Sequence, residues 1–266
     1  MNEIENKFKT AIHAGQKQYG IWNGIPHTYA AEILAGAGFD WVLIDAEHGP
    51  FEMNQIIGQV QAMSRYEVSP ILRMRNADPV YMKPLLDAGI QSFIIPMVES
   101  ADTAELMVKA LRYPPAGTRG VGTALARAAQ WNRVNDYFNL ANDQMCLITQ
   151  VESVKGVEAL DDILKVDGVD VVFMGPADLA GSMGYLGNPG HPDVKAAVQE
   201  CLSKIVAAGK VPGVLTSSKD LIADYTDRGA KMIGVGLDTI ILAKATKALA
   251  EYYKPELKEK KSNTQY

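Results

Sequence analysis

The chain has 266 residues, 47% of them hydrophobic, and its 31 acidic side chains outnumber 26 basic ones for a net charge of −5. That is enough apolar sequence for one full core, and the acid excess argues against nucleic acid or an anionic membrane as the main partner. Two cysteines with no CxxC pattern exclude a disulfide framework, no apolar run approaches the roughly 18 residues of a membrane span, and "MNEIENKFKTAIHAG" has no signal-peptide core. A soluble cytoplasmic protein is expected.

Taken in chain order, eight short apolar segments read as strands: 19–23, 41–45, 70–75, 92–97, 145–151, 171–175, 211–215 and 232–236. They are nearly continuous in apolar character, as parallel strands covered on both faces are. Stretches with helical spacing lie between them, most clearly 28–38 and 194–209. "ADPVYMKPLLDAG" offers Asp78 as a helix N-cap with Pro79 at the first helical position. Four times a helix runs out in glycine just before a strand, at "LAGAGFDWV", "LDAGIQSF", "VDGVDVVF" and "DRGAKMIGV". Glycine there can take the left-handed conformation that closes a helix. Eight strand–helix alternations predict a single α/β domain, a (β/α)8 TIM barrel over residues 1–253, with 254–266 as a charged, solvated tail. The alternative, a doubly wound sheet, lacks a strand followed at once by GxGxxG. "GTRGVGTALARA" (117–128) follows a helix and reads as a loop rather than a phosphate cradle. The connection from Tyr113 to about Gln144 is long enough to hold a short helix, and a long connection at the strand exits often serves as a lid.

Barrels of this kind place their chemistry where the strands end. The second strand ends on Asp45, Glu47 and His48, and the third on Arg73 and Arg75. The fifth gives Gln150 and Glu152, the sixth Asp178, and the seventh Leu215, Thr216 and Ser217. Asp238, after the eighth, reads as the cap of the next helix. Side chains two apart on a strand share a face, so Gln150 and Glu152 point together into the mouth. Glu152 and Asp178, from neighbouring strands, repel unless a proton or cation joins them. Two carboxylates with open positions suit Mg2+ or Mn2+, although each could instead cap a helix or pair with an arginine. Arg73 suits a carboxylate or a developing oxyanion, or else forms a salt bridge to Glu152 or Asp45. Of four histidines only His48 sits at a strand end beside acids, as a general acid or base would. No lysine ends a strand, which disfavours Schiff-base chemistry and favours metal-assisted carbonyl chemistry. Strict alternation would put Asp45 and Glu47 on one face and His48 on the other, so all three share a site only if the chain turns after Asp45.

"GFDWVLIDAEHGP", "LLDAGIQSFIIPMV", "RYPPAGTRGVGTALARAAQW", "NDQMCLITQVES" and "GVDVVFMGPADLAGSMGY" together resemble the HpcH/HpaI aldolase family, in one register from about residue 6 to 252. The resemblance implies a (β/α)8-barrel, class II aldolase that uses a divalent metal (Mg2+, Mn2+ or Co2+) and no organic cofactor. Such enzymes cleave a hydroxy-ketoacid to pyruvate and an aldehyde. It implies Glu152 and Asp178 as metal ligands, and Gln150 with the backbone N–H groups of Ala177 and Asp178 as substrate contacts. It also implies His48 as the base, Arg73 as the transition-state stabiliser and Leu215 as a wall of the aldehyde pocket. Glu47 is then read as holding metal-bound water, and Asp45 as orienting the strand end or the histidine. The family pairs its histidine with the residue matching Asp87, which the topology puts at the far end of the barrel from His48. A neighbouring subunit supplying Asp87 resolves this, because the resemblance implies a homohexamer of intertwined dimers. "DAEHGP" where "DGEHAP" is common, "LAGSMG" after GPADL, and Arg75 depart from the family pattern and bear on the aldehyde partner. Three other readings stand beside a 4-hydroxy-2-oxo diacid aldolase. They are an aldolase for 2-keto-3-deoxy sugar acids, a malyl- or citramalyl-CoA-type lyase, and a barrel turned binding protein.

Overall fold

The computed structural model describes residues 4–259; residues 1–3 and 260–266, the latter most of the predicted tail, lie outside the described residues. Its elements are α1 (Lys7–His13), β1 (Gln18–Asn23), α2 (Thr28–Ala35), β2 (Trp41–Asp45), α3 (Met53–Met63), β3 (Ser69–Arg73), α4 (Pro79–Asp87) and β4 (Ser92–Ile95). Next come α5 (Ala101–Leu111), a 3-10 turn (Arg127–Ala129), α6 (Tyr137–Gln144), β5 (Cys146–Val151), α7 (Val154–Glu158), α8 (Leu160–Ile163), β6 (Val169–Met174) and α9 (Pro176–Ser182). The chain continues through α10 (Pro192–Ala207), β7 (Val211–Leu215), α11 (Lys219–Asp227), β8 (Met232–Leu237), α12 (Asp238–Tyr253) and α13 (Glu256–Glu259). The strands close in the order β1 to β8, every neighbouring pair parallel. The predicted (β/α)8 barrel is therefore the fold.

The predicted strands are the observed ones to within two residues at most ends. The local signals explain why. Asp78 caps α4 through the backbone N–H groups of Val80 and Tyr81, with Pro79 at the first position. Gly38, Gly89, Gly168 and Gly229, one at each predicted helix-to-strand joint, all have positive φ, between 92° and 101°. Asp238 departs from its reading. It lies inside α12 rather than at its cap, and its carboxylate accepts from the N–H groups of Gly24 and Ile25 at 2.9 and 3.0 Å. It thereby pins the β1–α2 loop to the end of β8.

Alternation along the strands makes two apolar cores. Trp22, Trp41, Leu43, Ile71, Ile94, Ile148, Val171 and Phe173 fill the barrel interior, and Phe8 and Ile12 of α1 plug its floor. The outer faces of the strands pack against the helices. A third, small cluster of Tyr113, Ala129, Val134, Tyr137 and Ala141 belongs to the long 113–144 connection. That connection does contain a short helix, α6, but it leads into the start of β5 and is no lid over the mouth. It packs beneath α4, with Arg127 donating to the Ala88 carbonyl at 3.0 Å. An α-to-β connection in a parallel barrel ends at the floor by construction, whatever its length.

Candidate active site

β2 and β3 are in register, with Asp45 beside Arg73, so both side chains point into the mouth. Arg73 is buried and forks onto Asp45: Nε donates to Oδ1 at 2.9 Å and Nη2 to Oδ2 at 2.5 Å. Its Nη1 lies 2.9 Å from Glu47 Oε2, a charge contact without an aligned hydrogen bond. Of the two salt bridges read as alternatives for Arg73, the one to Asp45 forms, and Glu47 adds a second acid. Burial works against the charge on Arg73, and Asp45 and Glu47 outweigh it, leaving the guanidinium above its ordinary pKa.

The acids and the histidine at the end of β2 do share one site, because the chain turns after Asp45. Asp45 Oδ1 accepts from the N–H groups of Glu47 and His48, both at 3.2 Å, and the Gly49 N–H returns to the Asp45 carbonyl at 3.0 Å. Asp45 thus orients the strand end and, through its backbone, the histidine. The His48 side chain is 66% exposed, with Nε2 3.9 Å from Glu47 Oε2. Each other histidine has a local partner: His27 and His191 accept backbone N–H groups at helix N-termini, and His13 meets Asp170 at 2.8 Å.

Gln150 and Glu152 point inward from β5 as spacing predicted, and both are buried. Glu152 accepts from the Met97 N–H at 2.9 Å and from Gln150 Nε2. Burial pushes its carboxyl up to about 7, and the nearby charges of Glu47 and Asp178 add to that against the Met97 hydrogen bond and Arg73. Glu47 is raised too, chiefly by burial. Gly175 lies so close that a Cβ there would sit 2.5 Å from Glu152 Oε2. Asp178 and Ala177 are exposed in the first turn of α9 and reach the same cavity.

That cavity, of about 470 Å3, is lined by Asp45, His48, Arg73, Gln150, Asp178 and Leu215, among others. No lysine lines it. Two features of the site escape a reading of the sequence. Trp22 stands with Arg73 5.8 Å over its ring; an inward aromatic one residue before the end of β1 is the available signal. Met97 takes a left-handed φ of 51° that turns its N–H onto Glu152, and no residue type announces that. Two sequence-derived residues do not join the site. Arg75 turns away, donating to the Phe51 carbonyl and lying 5.2 Å over Tyr81. Asp87 ends α4 at the barrel floor, where its Oδ1 is 3.5 Å from Arg119 Nη2.

The residues present fit a divalent cation. The charges of Glu47 and Asp178 act on Glu152, and that of Asp178 acts on Glu47. Beside them the buried Gln150 Oε1 has no hydrogen-bond partner. Among the described residues no three metal-binding side chains already stand together, so an ion here would share its positions with substrate and water.

The closed parallel barrel with an acidic, lysine-free mouth defines a (β/α)8 enzyme whose chemistry is carried at the strand ends. Residues 18–245 match the family described as HpcH/HpaI aldolase/citrate lyase, and the chain belongs to that family. It is 51% identical over 247 residues to a 4-hydroxy-2-oxo-heptane-1,7-dioate aldolase of Shigella sonnei, covering 93% of this chain and 94% of the relative. Among solved structures, an HpcH/HpaI aldolase/citrate lyase family protein from Burkholderia cenocepacia superposes with a TM-score of 0.89 at 34% identity, covering 94% of this chain and 99% of the other. A citrate synthase, SbnG, superposes at 0.84 with 29% identity, covering 93% and 97%. The protein is accordingly an enzyme, an aldolase-type carbon–carbon lyase.

Proposed function

We propose that the protein catalyses the reversible cleavage of a 4-hydroxy-2-oxo diacid, of the heptane-1,7-dioate type, to pyruvate and an aldehyde resembling succinic semialdehyde. The observation that carries this is the grouping of Glu47 and Glu152 at one buried guanidinium, with the charge of Asp178 acting on both and Glu152 raised to about 7. Glu152 and Asp178 would hold the cation, Mg2+, Mn2+ or Co2+, with Glu47 orienting its water. When bound, such an ion supplies Lewis-acid stabilisation of charge on the 2-oxo acid. Gln150 and the N–H groups of Ala177 and Asp178 orient the pyruvoyl end. His48 takes the proton from the C4 hydroxyl, the C3–C4 bond breaks, and its electron pair passes to C3 and the C2 oxygen. Arg73, fixed by Asp45 and Glu47, steadies the negative charge on that oxygen, and C3 is then protonated to give pyruvate. Leu215 lines the aldehyde side.

A homohexamer of intertwined dimers completes the reading. Its support is α12, whose Ile240, Ile241, Leu242, Leu249, Tyr252 and Tyr253 are between 47% and 75% exposed. Sixteen residues of helix with so much apolar surface in water need a partner. Asp87, remote from its own His48, then serves a neighbour's. Co-expressed His48→Ala and Asp87→Asn subunits should regain activity in mixed assemblies above the residual level of either alone.

One observation favours a second substrate. Beyond Arg73 and His48 the cavity has no cationic side chain, and Thr216 and Ser217 place hydroxyls on its wall. That suits the hydroxylated aldehyde of a 2-keto-3-deoxy sugar acid. The same lack of cations, with Arg75 turned away, disfavours a CoA thioester. Pyruvate release, coupled to lactate dehydrogenase, should be compared for the diacid and sugar-acid substrates. A higher kcat/KM for the diacid supports the first reading, and no pyruvate from either overturns both.

A further inference from the structure

We infer that Arg119 is a positioning residue for the reaction, acting through Asp87; this rests on the proposed pairing of Asp87 with a neighbouring subunit's histidine. Arg119 lies in the glycine-rich loop 117–128. No phosphate could reach its side chain, which is fully buried. It lies 4.3 Å over the face of Tyr113, and its Nη2 donates to the Leu86 carbonyl at 3.3 Å and to the Tyr137 hydroxyl at 3.2 Å. Nη1 approaches Met145 Sδ at 3.9 Å, and Nε has no hydrogen-bond partner.

A buried guanidinium needs a counter-charge, and among the described residues the only carboxylate within ion-pair distance of Arg119 is Asp87. The contrast with Arg73 is informative. Arg73 is saturated by a fork of short contacts to Asp45 and a further approach by Glu47. Arg119 faces only one oxygen of Asp87, the buried Oδ1, at 3.5 Å, and no hydrogen bond closes that contact. Asp87 also keeps 31% of its side chain exposed. The arginine fixes the direction of the carboxylate through the buried Oδ1 and leaves the exposed remainder of the carboxylate to accept from an imidazole N–H. The surface on which Asp87 is presented supports docking: Val121 and Leu125 of the same loop are 69% and 88% exposed, and Gly122 lies against Asp87 Oδ2.

Three variants of the full-length assembly test this: Arg119→Lys, which keeps the charge without the fork; Tyr137→Phe, which removes one acceptor of Nη2; and Asp87→Asn. All are measured by pyruvate release, with oligomeric state and melting temperature checked in parallel. Arg119→Lys and Tyr137→Phe are expected to lower kcat by about two- to a hundredfold, the span of coupling between contacting groups, with KM unchanged. In an Asp87→Asn background the same changes should have no further effect, because the residue they act through is already lost. A merely structural arginine would lower kcat equally in both backgrounds, and that additivity overturns the inference. So does wild-type kcat in both Arg119→Lys and Tyr137→Phe while Asp87→Asn is impaired. Wild-type activity in Asp87→Asn removes instead the pairing on which the inference rests.

Discussion

The two ends of this barrel handle charge in opposite ways. At the floor, beneath β5 and β6, charge is answered locally. Asp170 meets His13 at 2.8 Å and Lys9 at 3.4 Å and accepts the Leu147 N–H, while Lys210 donates to the carbonyls of Val166 and Val169. At the mouth Asp45, Glu47 and Glu152 surround a single guanidinium, and burial raises the carboxyls of Glu47 and Glu152, with Asp45 and Asp178 adding to the first and Glu47 and Asp178 to the second. A barrel needs the first arrangement for stability. The second costs stability, and under the proposed function it is where an external cation and an oxyanion would be held.

Four variants and one condition break or sharpen that contrast. The largest effect is expected at His48. His48→Ala should lower kcat by about 10²–10⁴-fold, the usual worth of a positioned base, with no change in melting temperature because the imidazole is largely exposed. Next is Arg73→Lys, which cannot fork between Asp45 and Glu47 and should lose about 10²–10³ in kcat. Arg73→Ala strands two acids and should cost about 3–5 kcal/mol in urea unfolding.

The acid crowd predicts a pH dependence in metal-free protein. Folded Glu152 holds its proton to about pH 7, whereas its ordinary pKa is 4.5. Between those values the folded state binds more protons than the unfolded chain, so stability is full below 4.5 and falls as pH rises through 7. The loss is on the order of 3 kcal/mol, and Glu47 adds in the same direction. Melting curves from pH 4.5 to 7.5 should show it, and saturating Mn2+ should reverse it. The smallest effect on activity belongs to the floor. Asp170→Asn should cost about 1–3 kcal/mol of stability through its buried hydrogen bonds and leave kcat unchanged.

Much of this contrast is legible in sequence. Strands buried on both faces announce themselves as apolar runs, and the polar residues just past each run are those of the mouth. Asp45, His48, Arg73, Gln150, Glu152 and Asp178 all show themselves that way. Parity alone misleads at "DAEHGP", because a carboxylate that caps its own turn rotates the next residues into the site. Partnership is less legible than position. Whether Arg73 takes Asp45 or Glu152 depends on register between β2 and β3, which no local pattern encodes. Arg119 gives no signal, since its role depends on burial under Tyr113 and Tyr137, from two sides of a long connection. Met97 is invisible because its contribution is a backbone N–H.

The central claim is that the acidic mouth is completed by a divalent cation at Glu152 and Asp178. The most direct test measures pyruvate release from a 4-hydroxy-2-oxo diacid before and after exhaustive chelation, then with Mn2+ restored, in wild type and Glu152→Gln. The account predicts loss on chelation, recovery with Mn2+ in the wild type, and no recovery in Glu152→Gln. Undiminished activity in rigorously metal-free protein would contradict it.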